Sequence, residues 1–401
     1  MLSPARCTTG ESWRPVEEVL RSHLDQPYPH TTPPWRAVVL PLPSSSSAST
    51  SCFIAFSYSH TILDGPSGVA FHKSFLSALR SGADMPSSVT TITPPDVPFP
   101  PQFDTSSRLP ISWTFLLAPL LAAVLPHFLS DLFGLHAHAS PVNQGTWTGS
   151  PATFDPQTTR SGINLREIPA PLVDKALVAS RANGARMTGT LHQLVTRALS
   201  KTIAAHPKMA AGINVTNFAS QTAVNMRRAA GVPEGGMGEY ASGIFLSHPV
   251  VDPSISAGPL SKEEWAAARS ATEKFADAGS RLRDQPIGLL RYAPSIRKWT
   301  AAKVGQARDS SYEVSNIGVV GDKVEQEDDK NGVRIVNTVF AQPGMVVGCP
   351  ICVNVASVKG GSLMYSVTWP RGALGVSLSQ QEEQEIVDEI CQSIRDDFER
   401  F

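Results

Sequence analysis

The chain has 401 residues, 41% of them hydrophobic and 17% charged, and a formal net charge of -1. This composition excludes a disordered or fibrous chain and gives length enough for two cores. The near-neutral charge removes the electrostatic footprint of a nucleic-acid binder.

Residues 1–34 are polar apart from one helical pattern near Arg14–Leu24. Trp35–Leu40 reads as a strand. A Ser-rich loop, Ser44–Ser51, leads to a second apolar strand, Cys52–Phe56. That strand stops at Ser59-His60, and the turn signal Asp64-Gly65-Pro66-Ser67-Gly68 follows. Val69–Leu79 then carries apolar residues at helical spacing. Gly82–Pro110 is a Pro- and Ser-rich excursion. Ile111–Leu135 is the most apolar segment, with no Asp, Glu, Lys or Arg between Arg108 and Asp131. It reads as a helical hairpin packed on the protein, an interfacial helix touching a membrane, or a span; Pro119 and Pro126 count against a straight helix.

From Ile163 the pattern is regular. A strand at Ile163–Ile168 precedes helices at Pro171–Asn183 and Thr190–His206, the latter with Thr188 or Thr190 placed to cap it. Strands follow at Ile213–Phe218, Thr222–Met226 and Tyr240–Leu246, and the sequon Asn214-Val215-Thr216 falls in the first, where it reads as buried. The capping box Ser261-Lys262-Glu263-Glu264 opens a helix to about Arg283, and another helix spans Ile287–Val304. Tyr312–Ile317 is a strand, joined by the acidic loop Gly321–Gly332 to a strand at Val333–Phe340. Strands Met345–Val358 and Ser362–Trp369 flank the turn Lys359-Gly360-Gly361. A second capping box, Ser379-Gln380-Gln381-Glu382, opens the last helix, to about Phe398. The chain is mixed α+β without an internal repeat, and its boundary near 184–188 divides lobes 1–185 and 186–401.

Five cysteines, Cys7, Cys52, Cys349, Cys352 and Cys391, are odd in number and scattered, which argues against a disulfide framework. Cys349-Pro350-Ile351-Cys352 has no second pair for a four-thiolate site, so both thiols read as core residues, with redox or metal chemistry as the alternative. No metal is expected. The first residues lack a basic-then-apolar leader, which points to a cytoplasmic protein; the apolar 111–135 segment adds peripheral contact with a membrane or lipid droplet as a variant.

His60 sits where a strand ends and a loop enters a helix, a placement that fixes the backbone and leaves room for substrate. An imidazole titrates near neutrality and can take a proton from an attacking hydroxyl. Asp64, four residues on, either pairs with His60 or binds an arginine that holds the loop. Seven basic residues between Arg281 and Arg308, among them Arg297, Lys298 and Lys303, read either as an anion-attracting face or as solvated helix surface. No Walker-type loop or dinucleotide fingerprint is present.

His60-x-x-x-Asp64-Gly65 resembles the HxxxDG motif of the CoA-dependent acyltransferase superfamily, which includes chloramphenicol acetyltransferase, the plant BAHD enzymes and peptide condensation domains. The chain is most similar to the fungal alcohol O-acetyltransferase branch. Further matching stretches are Pro34-Trp35-Arg36, Thr188–Leu199, Val224-Asn225-Met226-Arg227-Arg228, Met237-Gly238-Glu239-Tyr240 and Val314-Ser315-Asn316-Ile317-Gly318. The resemblance implies two α/β lobes with the active site in a tunnel between them. It implies His60 as base, with Asp64 and Gly65 shaping the loop. Arg227, or alternatively Arg228, would partner Asp64, and Ser315 or Asn316 would supply the oxyanion donor. Arg297, Lys298 and Lys303 become candidates for the CoA phosphates. No permanently bound cofactor is implied: acetyl-CoA or another acyl-CoA is a co-substrate, and the acceptor is a small, hydrophobic alcohol, amine or secondary metabolite. A monomer is expected. The alternatives are a condensation or cyclisation relative acting without CoA, and an inactive binding protein of the same fold. The plant-type Asp-Phe-Gly-Trp-Gly motif is absent, and only 34 residues precede Trp35, which suggests a first lobe short of sheet elements and a weakened activity.

Overall fold

The computed structural model describes residues 13–42, 51–81, 93, 96, 101–124, 140–210, 212–321, 333–375 and 377–401. The 44–50 part of the Ser-rich loop, most of the 82–100 part of the excursion and the acidic loop from 322 lie outside them.

Helix α1 (Arg14–Leu24) has the expected bounds. Strands β1 (Trp35–Leu42) and β2 (Ser51–Tyr58) form a two-stranded antiparallel sheet with Trp35 opposite Tyr58. Helix α2 (Gly65–Arg80) covers it, stacking Phe71 on Phe56 with ring centroids 3.8 Å apart. Helix α3 (Trp113–Val124) is the described part of the apolar segment. Trp113, Leu117 and Leu121 are exposed at successive four-residue steps, which places them on one side. Among the described residues no helix is long and apolar enough to cross a membrane; a second hairpin arm falls outside them.

The large sheet has six strands in the order β3-β8-β7-β6-β4-β5. They are β3 (Ser161–Ile168), β4 (Asn217–Asn225), β5 (Ala241–Pro249), β6 (Tyr312–Val320), β7 (Ile351–Val358) and β8 (Leu363–Pro370). The β4–β6 and β6–β7 pairs are parallel, and the others are antiparallel. β3 precedes the expected lobe boundary, and its partner β8 follows it.

Successive side chains of a strand point to opposite faces, and here the faces differ in chemistry. Tyr312, Val314, Ile351, Val353 and Val367 join the main core, together with residues of helices α4 (Ala170–Ala182), α5 (Met187–Ala205) and α8 (Gln380–Glu399). The other face carries Glu313 opposite Cys352 and Ser315 opposite Asn354, with Thr368 and Ser366 next along; all six are buried. Both capping boxes form as expected, at α6 (Lys262–Ser280) and at α8. Arg197 of α5 is buried between Glu264 of α6 and Asp397 of α8, tying three helices together.

Six expectations need correction. The segment before Asn217 is not a buried strand: Asn214 and Thr216 are exposed, and the Thr216 N–H donates to Gly145 O (2.9 Å). From Asn217 to Asn225 the chain is one strand rather than two pieces, because β5 pairs it throughout. The helix expected at Ile287–Val304 divides into a 3₁₀ stretch, Pro286–Tyr292, and a short α7 (Ile296–Ala302). Pro294 forces the break by holding Ala293 extended at ψ 124°. Val333–Phe340 joins no sheet, and the strand expected from Met345 begins only at Ile351, since Pro350 has no N–H to give. Helix α5 has Arg186 at its cap position with no side-chain cap; Thr188 Oγ1 accepts from Asn316 Nδ2 instead (3.1 Å).

Candidate active site

The loop between β2 and α2 is built around Asp64, which caps α2. Its Oδ1 accepts from the N–H (3.1 Å) and hydroxyl (2.8 Å) of Ser67. Pro66 in the first turn suits a helix start, where its missing N–H costs nothing. Tyr58, at the end of β2, donates its hydroxyl to Asp64 O (2.8 Å), so strand end and helix start share one anchor. Gly65 has no room for a side chain: a Cβ would lie 2.7 Å from Ile317 Cγ2 on β6.

Arg227, just past the end of β4, reaches this carboxylate from 163 residues along the chain. Its two terminal nitrogens each donate to one Asp64 oxygen at 2.7 Å. Its Nε donates to Gly236 O (2.9 Å), and the guanidinium lies 5.0 Å from the Tyr240 ring centroid. The Tyr240 N–H donates to Asp64 Oδ2 (3.0 Å), and Ser67 and Gly238 exchange two hydrogen bonds. Asp64 and Arg227 are both fully buried. Burial pushes the Asp64 carboxyl up, but Arg227, Ser67 and the Tyr240 amide outweigh it and hold it below the usual carboxylate range. Such a fork-to-fork pair fixes both position and orientation.

Asp64 is therefore committed to Arg227, and His60 pairs with another acid. His60 Nδ1 lies 3.0 Å from Oε2 of Glu239, next to Gly238 on the segment that follows Arg227. The imidazole side chain is 65% exposed. The Glu239 hydrogen bond raises its pKa most; burial opposes this, and the net position is about 9. In neutral His60 the contact with Glu239 selects the Nδ1–H tautomer and leaves Nε2 as the acceptor.

Sequence reasoning did not single out Glu239, although it quoted the stretch that contains it. Nor did it find Glu313. This carboxylate sits on the polar face of β6, fully buried, and among the described residues its Oε2 has no hydrogen-bond partner. Burial pushes its pKa up to about 7, opposed by Gln342 (3.4 Å to Oε1) and by the charge of His60.

The two oxyanion candidates part company. Ser315 lies on the Glu313 face of β6, between Glu313 and the Ile317 that packs on Gly65, and among the described residues its hydroxyl has no partner. Asn316 lies on the opposite face, where it bonds Thr188 and accepts from the Gly318 N–H (2.8 Å). There it lines a cavity of about 680 Å³ with Thr188, Asn225, Arg228, Phe275 and Ser280. His60 is not among its lining residues.

The three candidates for CoA phosphates also lie outside that cavity. Arg297 and Lys298 are exposed on α7, while Lys303 is paired with Asp309 and stacked on Trp299 (4.1 Å). The wider basic run is dispersed: Arg308 is buried, and Arg291 bonds backbone carbonyls of 104 and 109. Arg228 is the cation of the cavity.

The whole chain compares with known proteins as follows. It is 26% identical over 407 residues to a probable alcohol acetyltransferase, FCK4, of Fusarium pseudograminearum, covering 96% of this chain and 74% of that protein. An uncharacterized Schizosaccharomyces pombe protein is 25% identical over 351 residues, 86% of this chain and 70% of its own length. Among solved structures, the TRI3 trichothecene 15-O-acetyltransferase of Fusarium sporotrichioides has the same fold, with a TM-score of 0.57 at 12% identity, covering 99% of this chain and 76% of that one. The SgcC5 protein of Streptomyces globisporus aligns with a TM-score of 0.53 at 15% identity, over 97% of this chain and 78% of its own. The alcohol acetyltransferase family model matches residues 9–142 and 174–396, well over half of the sequence and including the His60 loop, Arg227 and Glu239, so the chain belongs to the alcohol acetyltransferase family.

Proposed function

We propose that the chain transfers an acetyl or other acyl group from acyl-CoA to the hydroxyl of a small, apolar alcohol or secondary metabolite. The observation that carries this reading is the His60–Glu239 contact, on a loop held by the buried Asp64–Arg227 pair. Family membership supports the acyl transfer, and the geometry supports the division of labour. Neutral His60 takes the acceptor's hydroxyl proton on Nε2. The alcohol oxygen attacks the thioester carbonyl, and the C–S bond breaks as the intermediate collapses. The departing CoA sulfur recovers the proton from His60, so no group stays on the enzyme. Glu239 is the positioning residue that sets the imidazole tautomer and stabilises the imidazolium, the role a carboxylate plays behind the base in a hydrolase triad. The Ser315 hydroxyl is the candidate oxyanion donor, on the strength of its face and its free hydrogen. Arg228 is the candidate for the CoA phosphates.

The reading is tested by CoA-thiol release from acetyl-CoA with a panel of alcohols. Wild type releases thiol only when an acceptor is present. His60→Ala lowers the rate by roughly 10²–10⁴-fold, the usual worth of a general base. Equal release by the variant, or none by wild type with any acyl-CoA, overturns it.

A further inference from the structure

The polar face of the large sheet holds a cluster that acyl transfer does not use. The thiols of Cys349 and Cys352 and a carboxylate oxygen of Glu313 all lie within 4.8 Å of one another. All three residues are buried. The two sulfurs are 3.4 Å apart, and Met345 Sδ lies 3.9 Å from Cys349 Sγ. Gly348 permits that approach, because a Cβ there would meet Met345 Sδ at 2.5 Å.

A buried carboxylate beside two thiols makes poor sense as hydrophobic packing. Among the described residues Glu313 Oε2 has no donor, and leaving a buried atom of this kind unpaired is costly. Arg308 adds a second anomaly. It is buried, and its donors go to the carbonyl oxygens of Ser150, Met345, Val346 and Gly348. Among the described residues it has no acidic partner, and it lies within electrostatic reach of both thiols. Two thiolates and a carboxylate around a divalent cation would carry one net negative charge, which one guanidinium balances.

We propose that Cys349, Cys352 and Glu313, with Met345 as a further donor, form a closed structural site for a thiophilic d¹⁰ cation, zinc or copper(I). Donor chemistry and spacing agree. Sulfurs bound tetrahedrally at about 2.3 Å from zinc are about 3.8 Å apart, whereas a disulfide needs about 2.0 Å. The observed 3.4 Å is closer to ligation. Lacking an open position, the site would pin the 345–352 loop and the start of β7 to β6, two residues before Ser315. The inference stands independently of the proposed reaction.

The test uses the full chain, purified reduced and folded. Metal content is measured after growth with zinc or with copper, and Cd²⁺ is titrated while the thiolate-to-metal charge-transfer band is followed. About one zinc or copper per chain is expected, the growth condition distinguishing the two, with a Cd²⁺ band that saturates at one equivalent. Cys349→Ser/Cys352→Ser abolishes both signals, whereas Cys391→Ser, which removes a buried thiol on the opposite side of the sheet, keeps them. Should the double variant not fold, Glu313→Gln, which retains both thiols, weakens Cd²⁺ binding by roughly 10-fold or more. Absence of metal and band in folded wild type overturns the proposal. So does unchanged binding in the variants, or a Cys349–Cys352 disulfide in the freshly isolated chain.

Discussion

Every residue of β8 is buried, whereas β1 alternates exposed and half-buried positions along its whole length. The six-stranded sheet is covered on one face by helices, and on the other Leu165 and Met364 pack against α1, β1–β2 and Val339. The two-stranded sheet has α2 over Phe56, and Val39, farther along the same face, is 61% exposed. Yet the thin sheet delivers His60. A two-stranded ribbon is marginal alone, so the precision of this loop has to come from elsewhere. It comes from Arg227, Tyr240 and Gly238, which grip Asp64 and Ser67 from the better-packed side. The catalytic candidate is carried by the weaker element and held by the stronger.

The comparison is broken most severely by cutting the grip. Asp64→Ala leaves Arg227 buried without its partner, at a cost of about 3–5 kcal/mol, measurable as a fall in denaturation midpoint. Arg227→Ala should cost as much, and the double variant less than the sum, because the two changes remove one interaction. A change in the sheets themselves comes next. Ile351→Ala empties core behind β7 and costs about 2–5 kcal/mol, whereas Val39→Ala costs within about 0.5 kcal/mol. Equal costs would mean that the sheets do not differ in the way their burial indicates.

Glu239→Gln sharpens the comparison without unfolding anything. His60 is protonated below about 9. Activity that needs the neutral ring therefore rises with pH through that value. The protonated pair adds to stability below the ordinary imidazole range, and that contribution is lost as pH rises through about 9. In Glu239→Gln the rising limb of kcat/KM moves down toward the ordinary imidazole value while maximal kcat falls, because tautomer control is lost. An unmoved limb would remove Glu239 from the mechanism. The smallest effect is expected at Arg228→Ala: a several-fold rise in KM for acyl-CoA, with kcat retained and the effect diminishing in salt.

Much of this was legible in the sequence, for local reasons. The His60 loop is a strand, a turn and a helix start in continuous chain, and both capping boxes are four-residue signals. Asp64 and Arg227 could be connected only through resemblance, since nothing local relates positions so far apart. Glu239 was missed as the partner of His60 for the same reason: the two are 179 residues apart, and the pair exists only once the chain has folded. Glu313 was hidden by the strand pattern, which indicates that a residue points away from Val314 but not what faces it. Val333–Phe340 has strand-like composition, but strand preference is realised only against a paired neighbour, and among the described residues this stretch pairs with no strand.

The Asp64–Arg227 contact also bears on the order of events in folding. It closes a loop of 163 residues, for which chain entropy alone charges about 4–5 kcal/mol. The imidazole therefore cannot be set early, by local structure around β2, but only after the Arg227–Tyr240 segment has docked. Contacts of such sequence separation form late and slowly. A chain still folding, or one whose larger sheet has opened, would hold a histidine without the geometry to use it. Catalytic competence would then report on long-range assembly, and activity should be the last signal to return on refolding.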